Sequence, residues 1–189
     1  MNETADKQAT VDETKDTEFH VGDAVVHPIR GAGKVTGFTE LETQGELRKY
    51  YKIKLIKQTS TSLMIPIDEV DEVGMRPAIS PENLDKVWSI LQDTPEELPS
   101  NYRTRHKVIN DSLQTGDIFE IAVAVRDTAW RREGEDGLTQ KGKELYKRGI
   151  RLLAGEIAAS KGIPLSQAKR DLKKRLREAF KAIRKAETS

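Results

Sequence analysis

Hydrophobic and polar positions alternate through residues 18–74, which indicates β-structure. In residues 48–57, the apolar side chains of Tyr51, Ile53 and Leu55 alternate with two lysines, a period of two that predicts a strand. Further strands are predicted at 24–26, 34–42, 62–67 and 70–73, with turns at 31–33 and 43–46. Several short strands within about 55 residues are typical of a small, curled barrel of the SH3 or Tudor type.

From Met75 onward the apolar residues recur at helical spacing instead. Helix starts are predicted where a capping residue precedes such a stripe, at Ser80, Ser100, Asp117 and Thr139. A last helix follows Pro164 and carries one apolar stripe, formed by Leu165, Leu172, Leu176, Ala179, Phe180 and Ile183. The predicted fold class is α+β, a small N-terminal Tudor- or SH3-like β-barrel followed by an all-α helical module.

These patterns divide the chain into four segments. Residues 1–17 have no aromatic and only one branched apolar residue, so we expect a disordered acidic tail. The β module spans residues 18–74 and the helical module residues 75–160, within which 131–137 is predicted to be a charged loop. A basic C-terminal helix extension occupies residues 161–189.

Charge is balanced overall, at a formal net charge of +1, but it is unevenly distributed. Residues 1–18 carry six acidic residues against two basic ones, whereas residues 164–189 carry nine basic residues against three acidic ones. A basic helix of this kind contacts nucleic acid or anionic lipid, binds the chain's own acidic tail, or simply forms a solvated face. The sequence leaves these interpretations open.

Composition excludes several classes of site. The chain has no cysteine, which excludes disulfides, thiolate zinc sites and cysteine nucleophiles, and its three histidines are too scattered to favour a metal cluster. It has no run of about 18 apolar residues that would span a membrane. Its N-terminus is too polar for a secretory signal, so we expect a cytoplasmic protein.

Three features resemble catalytic or ligand-binding motifs, and each has a simpler explanation. Gly31-Ala32-Gly33-Lys34 resembles part of a phosphate-binding loop, but Pro28 stands where that motif needs glycine, so a turn is favoured. His27 has no carboxylate nearby in the sequence and is interpreted as structural, and the acidic residues of 68–72 as a solvated strand face. We therefore expect no enzymatic activity, no cofactor and no small-molecule substrate.

An aromatic residue begins the second predicted helix among basic ones, in Tyr102-Arg103-Thr104-Arg105-His106-Lys107. This mixture suits nucleic acid, because cations neutralise phosphates and an aromatic ring stacks on a base or wedges into an opened base step. A tyrosine packed at a helix start beside solvated cations explains the same pattern. Both interpretations stay open at this level.

The order of the segments resembles the CarD/CdnL family of bacterial transcription regulators over roughly residues 18–160. The resemblance rests on the shared order and spacing of several short stretches. These are Phe19 through Pro28 with Gly31 just after, Tyr50, Met64-Ile65-Pro66, Ser100-Asn101-Tyr102, Leu113 through Asp117, Val125-Arg126-Asp127 and Gly137-Leu138-Thr139.

The resemblance implies that the helical module contacts promoter DNA, without reading its sequence, at the upstream edge of the melted region. A tryptophan of the family typically wedges into the minor groove there, and Tyr102 matches its position. Further DNA contacts are implied at Arg105, Lys107 and Lys143. The acidic tail and the helix from Pro164 onward are additions to the common family core, and the helix is hypothesised to add non-specific DNA affinity.

The resemblance also implies that the β module binds the β subunit of RNA polymerase, with contacts at Leu41, Met64 and Ile65. Leu41 and Met64 stand where some relatives use arginine, so apolar and backbone contacts, including strand addition, would carry more of the binding. We expect a monomer that stabilises the open promoter complex, is nucleoid-associated through polymerase and has no membrane partner. An adaptor on polymerase without a DNA wedge is the alternative.

Overall fold

The structure is a computed structural model that describes residues 19–43, 45–56, 62–134 and 137–188. The tail predicted at residues 1–17 lies outside the described residues. The described strands form one antiparallel sheet in the order β4-β3-β2-β1-β5. They are β1 (Ala24–His27), β2 (Gly31–Thr43), β3 (Glu46–Leu55), β4 (Ser62–Pro66) and β5 (Arg76–Pro77).

Tyr51 lies at the centre of the core that the curled sheet encloses. Its side chain is fully buried, its ring contacts those of Phe19 and Phe38 at centroid distances of 5.8 and 5.5 Å, and its hydroxyl accepts from the Phe19 N–H at 3.2 Å. Ile53 and Leu55 are buried on the same side of β3. The alternation predicted from the sequence is therefore confirmed as one face against this core.

Two predicted elements of the β module were wrong. Residues 70–73 form turns after a 3-10 turn at Ile67–Glu69, and the last strand is β5, which pairs with Val25 and Val26 of β1. Residues 31–33 begin β2 rather than forming a turn. Gly33 lies so close to β3 that a Cβ would come within 2.7 Å of the Ile53 side chain, so this glycine permits close strand contact.

Five α-helices follow the sheet in the part of the chain that the structure describes. They are α1 (Leu84–Gln92), which follows a 3-10 turn at Pro81–Asn83, α2 (Tyr102–Gln114), α3 (Ile118–Glu133), α4 (Gln140–Lys161) and α5 (Leu165–Glu187). None of the described helices has the length and apolar character needed to cross a membrane. The α+β fold class is confirmed.

The helix caps follow the sequence prediction only in part. Asp117 accepts from the N–H groups of Phe119 and Glu120, and Thr139 accepts from that of Gly142, so both predicted caps are confirmed. Ser80 occupies the predicted N-cap position before Pro81, but it caps the 3-10 turn that leads into α1 and its side chain makes no capping hydrogen bond. Ser100 was wrong as a cap, because Asn101 caps α2. The loop predicted at 131–137 was wrong at its start, because α3 continues to Glu133.

The C-terminal helix packs into the same core as the other four. Phe180 of α5 is buried and meets the Trp130 ring of α3 edge-on at 5.1 Å. The guanidinium of Arg175 lies 4.4 Å from the centre of the Trp88 ring of α1, which is buried. Such contacts make α5 a structural part of the helical core.

Candidate functional site

Tyr102 is the first residue of α2 and its side chain is 49% exposed. The Asn101 side chain caps the helix by accepting from the N–H groups of Arg103 and Thr104. The ring lies edge-on to His106 at 5.9 Å, and Arg103 donates to its hydroxyl at 3.1 Å. The exposed ring is therefore positioned by a capped helix start and two basic neighbours.

His106 connects this helix start to the start of α4. Its Nε2 lies 2.8 Å from the Thr139 hydroxyl, which also caps α4. Burial lowers the pKa of His106, and the charges of Arg105 and Lys141 lower it further. The contact brings Tyr102 and Lys143 onto adjoining helix starts, since Lys143 lies in the first turn of α4 and bonds the Thr139 carbonyl through its N–H.

Arg105 does not lie on this exposed surface. It lies on the buried face of α2, which it shares with Ile109 and Leu113 because the three residues are spaced four positions apart. Its Nη1 donates to the carbonyls of Pro99 and Ser100 at 2.6 and 2.8 Å. The guanidinium therefore holds the loop before α2, whereas the family resemblance predicted a DNA contact at Arg105.

The other two predicted DNA-contact residues are exposed. Lys107 forms an ion pair with Asp111 one turn later, at 2.6 Å, with its side chain 76% exposed. Lys143 is exposed on α4. No local sequence pattern indicates His106 as a link between α2 and α4, because its partner Thr139 is 33 positions away.

The outer face of the sheet carries Leu41 and Met64, which are 40% and 48% exposed. Met64 lies two residues before Pro66, the partner of Tyr50, and Leu41 pairs with Arg48, two residues before Tyr50. Because side chains two positions apart on a strand share a face, Leu41 and Met64 lie on the same face as Tyr50. Ile65 points to the opposite face, is buried in the barrel and pairs with Tyr51 of β3. Of the three predicted polymerase contacts, two side chains are exposed together and one is internal.

The edge of this face is β4, which among the described strands pairs only with β3. Arg48 lies beside it and its Nη2 donates to Asp68 at 2.6 Å and Glu69 at 3.0 Å. These hydrogen bonds raise the pKa of Arg48, with the bond to Asp68 contributing most, and they hold the segment after β4 against the sheet. Two of the four carboxylates in residues 68–72 are therefore paired with this arginine.

Comparison with known proteins finds matches to two family models and similarity to a curated protein. The CarD-like/TRCF RID domain matches residues 19–79, and the CarD C-terminal domain matches residues 86–173. The second match ends inside α5, beyond the limit of the resemblance found by sequence alone. A Bacillus subtilis (strain 168) protein named "Putative transcription factor YdeB" is 30% identical over 151 residues, which cover 80% of this chain and 97% of that protein.

Proposed function

The chain belongs to the CarD family of RNA polymerase-related, non-enzymatic transcription regulators, and we propose that it stabilises the open promoter complex while bound to the polymerase β subunit. The single observation that carries the DNA part of this proposal is the exposed ring of Tyr102, held at a capped helix start among basic side chains.

The polymerase contact is assigned to the outer sheet face and the free edge of β4. Leu41 and Met64 supply exposed apolar surface, and the unpaired side of β4 supplies backbone hydrogen-bonding groups next to the predicted contact Ile65. An extended segment of the β subunit would pair with β4 by strand addition, in which backbone bonds give affinity and side-chain contacts give specificity.

Tyr102 would contact the minor groove at the upstream edge of the melted region. Unstacking a base step costs a few kcal/mol, and a promoter already opened by polymerase has met that cost. The protein shifts the equilibrium only by its differential affinity for the open state. A difference of about 1.4 kcal/mol changes the ratio of open to closed complexes tenfold.

Lys107 and Lys143 would bind phosphates on either side of this contact, without reading sequence. Arg105 takes a different part in the proposal: it holds the loop that leads into Tyr102, the first residue of α2. We further propose that the protein acts as a monomer and reaches the nucleoid through polymerase.

One observation favours the adaptor alternative. Arg103 donates to the Tyr102 hydroxyl and lies 5.7 Å from the centre of its ring, so the tyrosine already has a partner on its own helix. An adaptor would keep the polymerase contact and leave this ring against Arg103.

The proposal is tested by the lifetime of a promoter open complex, measured after a competitor challenge with cognate polymerase, with and without the protein. The sheet contact is tested in parallel by binding to purified polymerase, using Met64→Glu against Ile29→Glu, the same change at an exposed apolar residue between β1 and β2. We expect a longer lifetime with the protein, and weaker polymerase binding for Met64→Glu only. An unchanged lifetime despite polymerase binding would contradict the proposal and favour the adaptor alternative.

A further inference from the structure

A cleft of about 330 Å³ lies where α3, α4 and α5 meet. Lys173 and Arg177 of α5 line one wall, and Arg132 of α3 lines the other. The Arg132 guanidinium lies 4.7 Å from the centre of the Tyr146 ring at the base of the cleft. Its one acidic lining residue, Glu133, has a carboxylate 3.7 Å from Arg132 and 3.7 Å from Arg184, so the lining is cationic on balance.

The cleft opens onto a row of cations along α5. Lys169, Lys173, Arg177 and Lys181 are spaced four residues apart, so they follow one side of the helix over about 18 Å. The last three are exposed. Glu178, one of the two acidic residues within this stretch, lies 3.9 Å from Lys174.

The partner of such a surface is decided by where the apolar residues of α5 lie. A helix that binds a lipid surface needs an exposed apolar face beside its cations. In α5 that face is buried, because Leu172, Leu176 and Phe180 belong to the helical core. What remains exposed is charge with little apolar surface, which suits the phosphate backbone of nucleic acid.

The cleft also continues the surface already assigned to DNA. Tyr146 lies one turn after Lys143 on α4, and the short connection between α4 and α5 makes them neighbours. We propose that this cleft and the cation row of α5 bind the backbone phosphates of duplex DNA and extend the DNA footprint beyond Tyr102. This inference rests on the proposed function and adds a second contact surface to it.

The test measures binding of the full chain to a short labelled DNA duplex of random sequence, by fluorescence anisotropy over a series of salt concentrations. Lys173→Gln/Arg177→Gln removes two cations from the cleft. Lys34→Gln/Lys54→Gln removes two exposed cations from the sheet and is the matched control for net charge. Lys173→Arg/Arg177→Lys keeps both charges, and circular dichroism verifies that all variants fold.

We expect the cleft variant to bind several-fold more weakly and its salt dependence, the slope of log K against log salt, to fall by about 1.8 for two lost phosphate contacts. The control and the charge-retaining variant keep the wild-type slope. An equal slope for the cleft variant and the control would overturn the proposal. Tighter binding to phosphatidylserine vesicles than to DNA, lost in the same cleft variant, would also overturn it in favour of a lipid partner.

The open-complex lifetime separates this inference from the proposed function. If the wild type prolongs the lifetime but the cleft variant keeps its DNA salt dependence, only the cleft proposal fails. If the cleft variant loses salt dependence but the wild type leaves the lifetime unchanged, the cleft binds DNA and the proposed function fails.

Discussion

Arg76 of β5 and Glu156 of α4 form a two-point ion pair between the sheet and the helices, with nitrogen–oxygen distances of 2.6 and 3.0 Å. Glu156 is 3% exposed and also accepts from the Ile79 N–H at 3.0 Å. Arg76 donates in addition to the Gly116 carbonyl, between α2 and α3. One side chain therefore connects β5, α4 and the turn before α3, and fixes the proposed polymerase face relative to the proposed DNA surface.

Replacing Arg76 by methionine should destabilise the protein. Glu156 would remain buried without its cationic partner, and breaking a buried pair in this way costs about 3–5 kcal/mol. The loss should lie near the lower value, because the Arg76 side chain is itself one-third exposed. Urea unfolding measures the loss. Lys174→Met is the control, since it removes an exposed pair worth below about 1 kcal/mol. Equal losses for the two variants would contradict the role assigned to Arg76.

Arg105→Gln separates a positioning role from a DNA contact. The carbonyls of Pro99 and Ser100 would lose a charged donor, so the free energy of unfolding should fall by about 2 kcal/mol. The salt dependence of DNA binding should stay at the wild-type slope. Lys107→Gln should do the reverse, with little loss of stability and a slope smaller by about 0.9. A reduced slope for Arg105→Gln would return Arg105 to the DNA contacts.

His27 should make stability depend on pH near neutrality. Its Nδ1 accepts from the Ile29 N–H at 3.1 Å, and burial, followed by the charge of Arg30, lowers the pKa of His27 below 6.5. The unfolded chain therefore takes up a proton at a higher pH than the folded one, and stability falls as the pH drops through 6.5.

His27→Asn keeps an acceptor at the position of Nδ1 but does not titrate. Urea unfolding at about pH 7.5 and about pH 5.5, on either side of the ordinary histidine value, should show a smaller acid loss in this variant. His106, whose pKa is lowered in the same direction, supplies a remaining part of the loss. Parallel pH dependence of wild type and variant would show that His27 contributes nothing.

Phe180→Ala tests whether α5 is part of the helical core. The side chain is 1% exposed, so its removal should cost about 3–5 kcal/mol in urea unfolding. Ala182→Gly, an exposed change on the same helix, should cost about 1 kcal/mol through helix propensity alone. A similar small loss in both variants would mean that α5 is attached loosely.

The sequence predicted those elements whose pattern is local. Tyr51, Ile53 and Leu55 alternate because one face of β3 is buried, and Asp117 and Thr139 cap helices through contacts within three residues. The strand β5 has only two residues and therefore shows no such pattern. Val70, whose apolar side chain suggested a strand, lies in a turn and is buried in the core of the β module.

The site was predictable to a similar extent. Exposure of Tyr102 is consistent with its polar surroundings, and the burial of Arg105 follows from its spacing to Ile109 and Leu113, a signal present in the sequence but outweighed by the basic stretch around it. The contact of Arg76 with Glu156 spans 80 positions and depends on how two modules pack, so no local pattern reveals it.

The most direct test of the central claim compares open-complex lifetimes for wild type, Tyr102→Ala and Tyr102→Trp, with polymerase binding confirmed for each. Val108→Ala is the matched control, because Val108 is another exposed apolar residue of α2, 43% exposed against 49% for Tyr102. The account predicts that the wild type lengthens the lifetime, that Tyr102→Ala loses this effect, that Tyr102→Trp strengthens it and that Val108→Ala leaves it unchanged. A Tyr102→Ala protein that lengthens the lifetime as much as the wild type would contradict it.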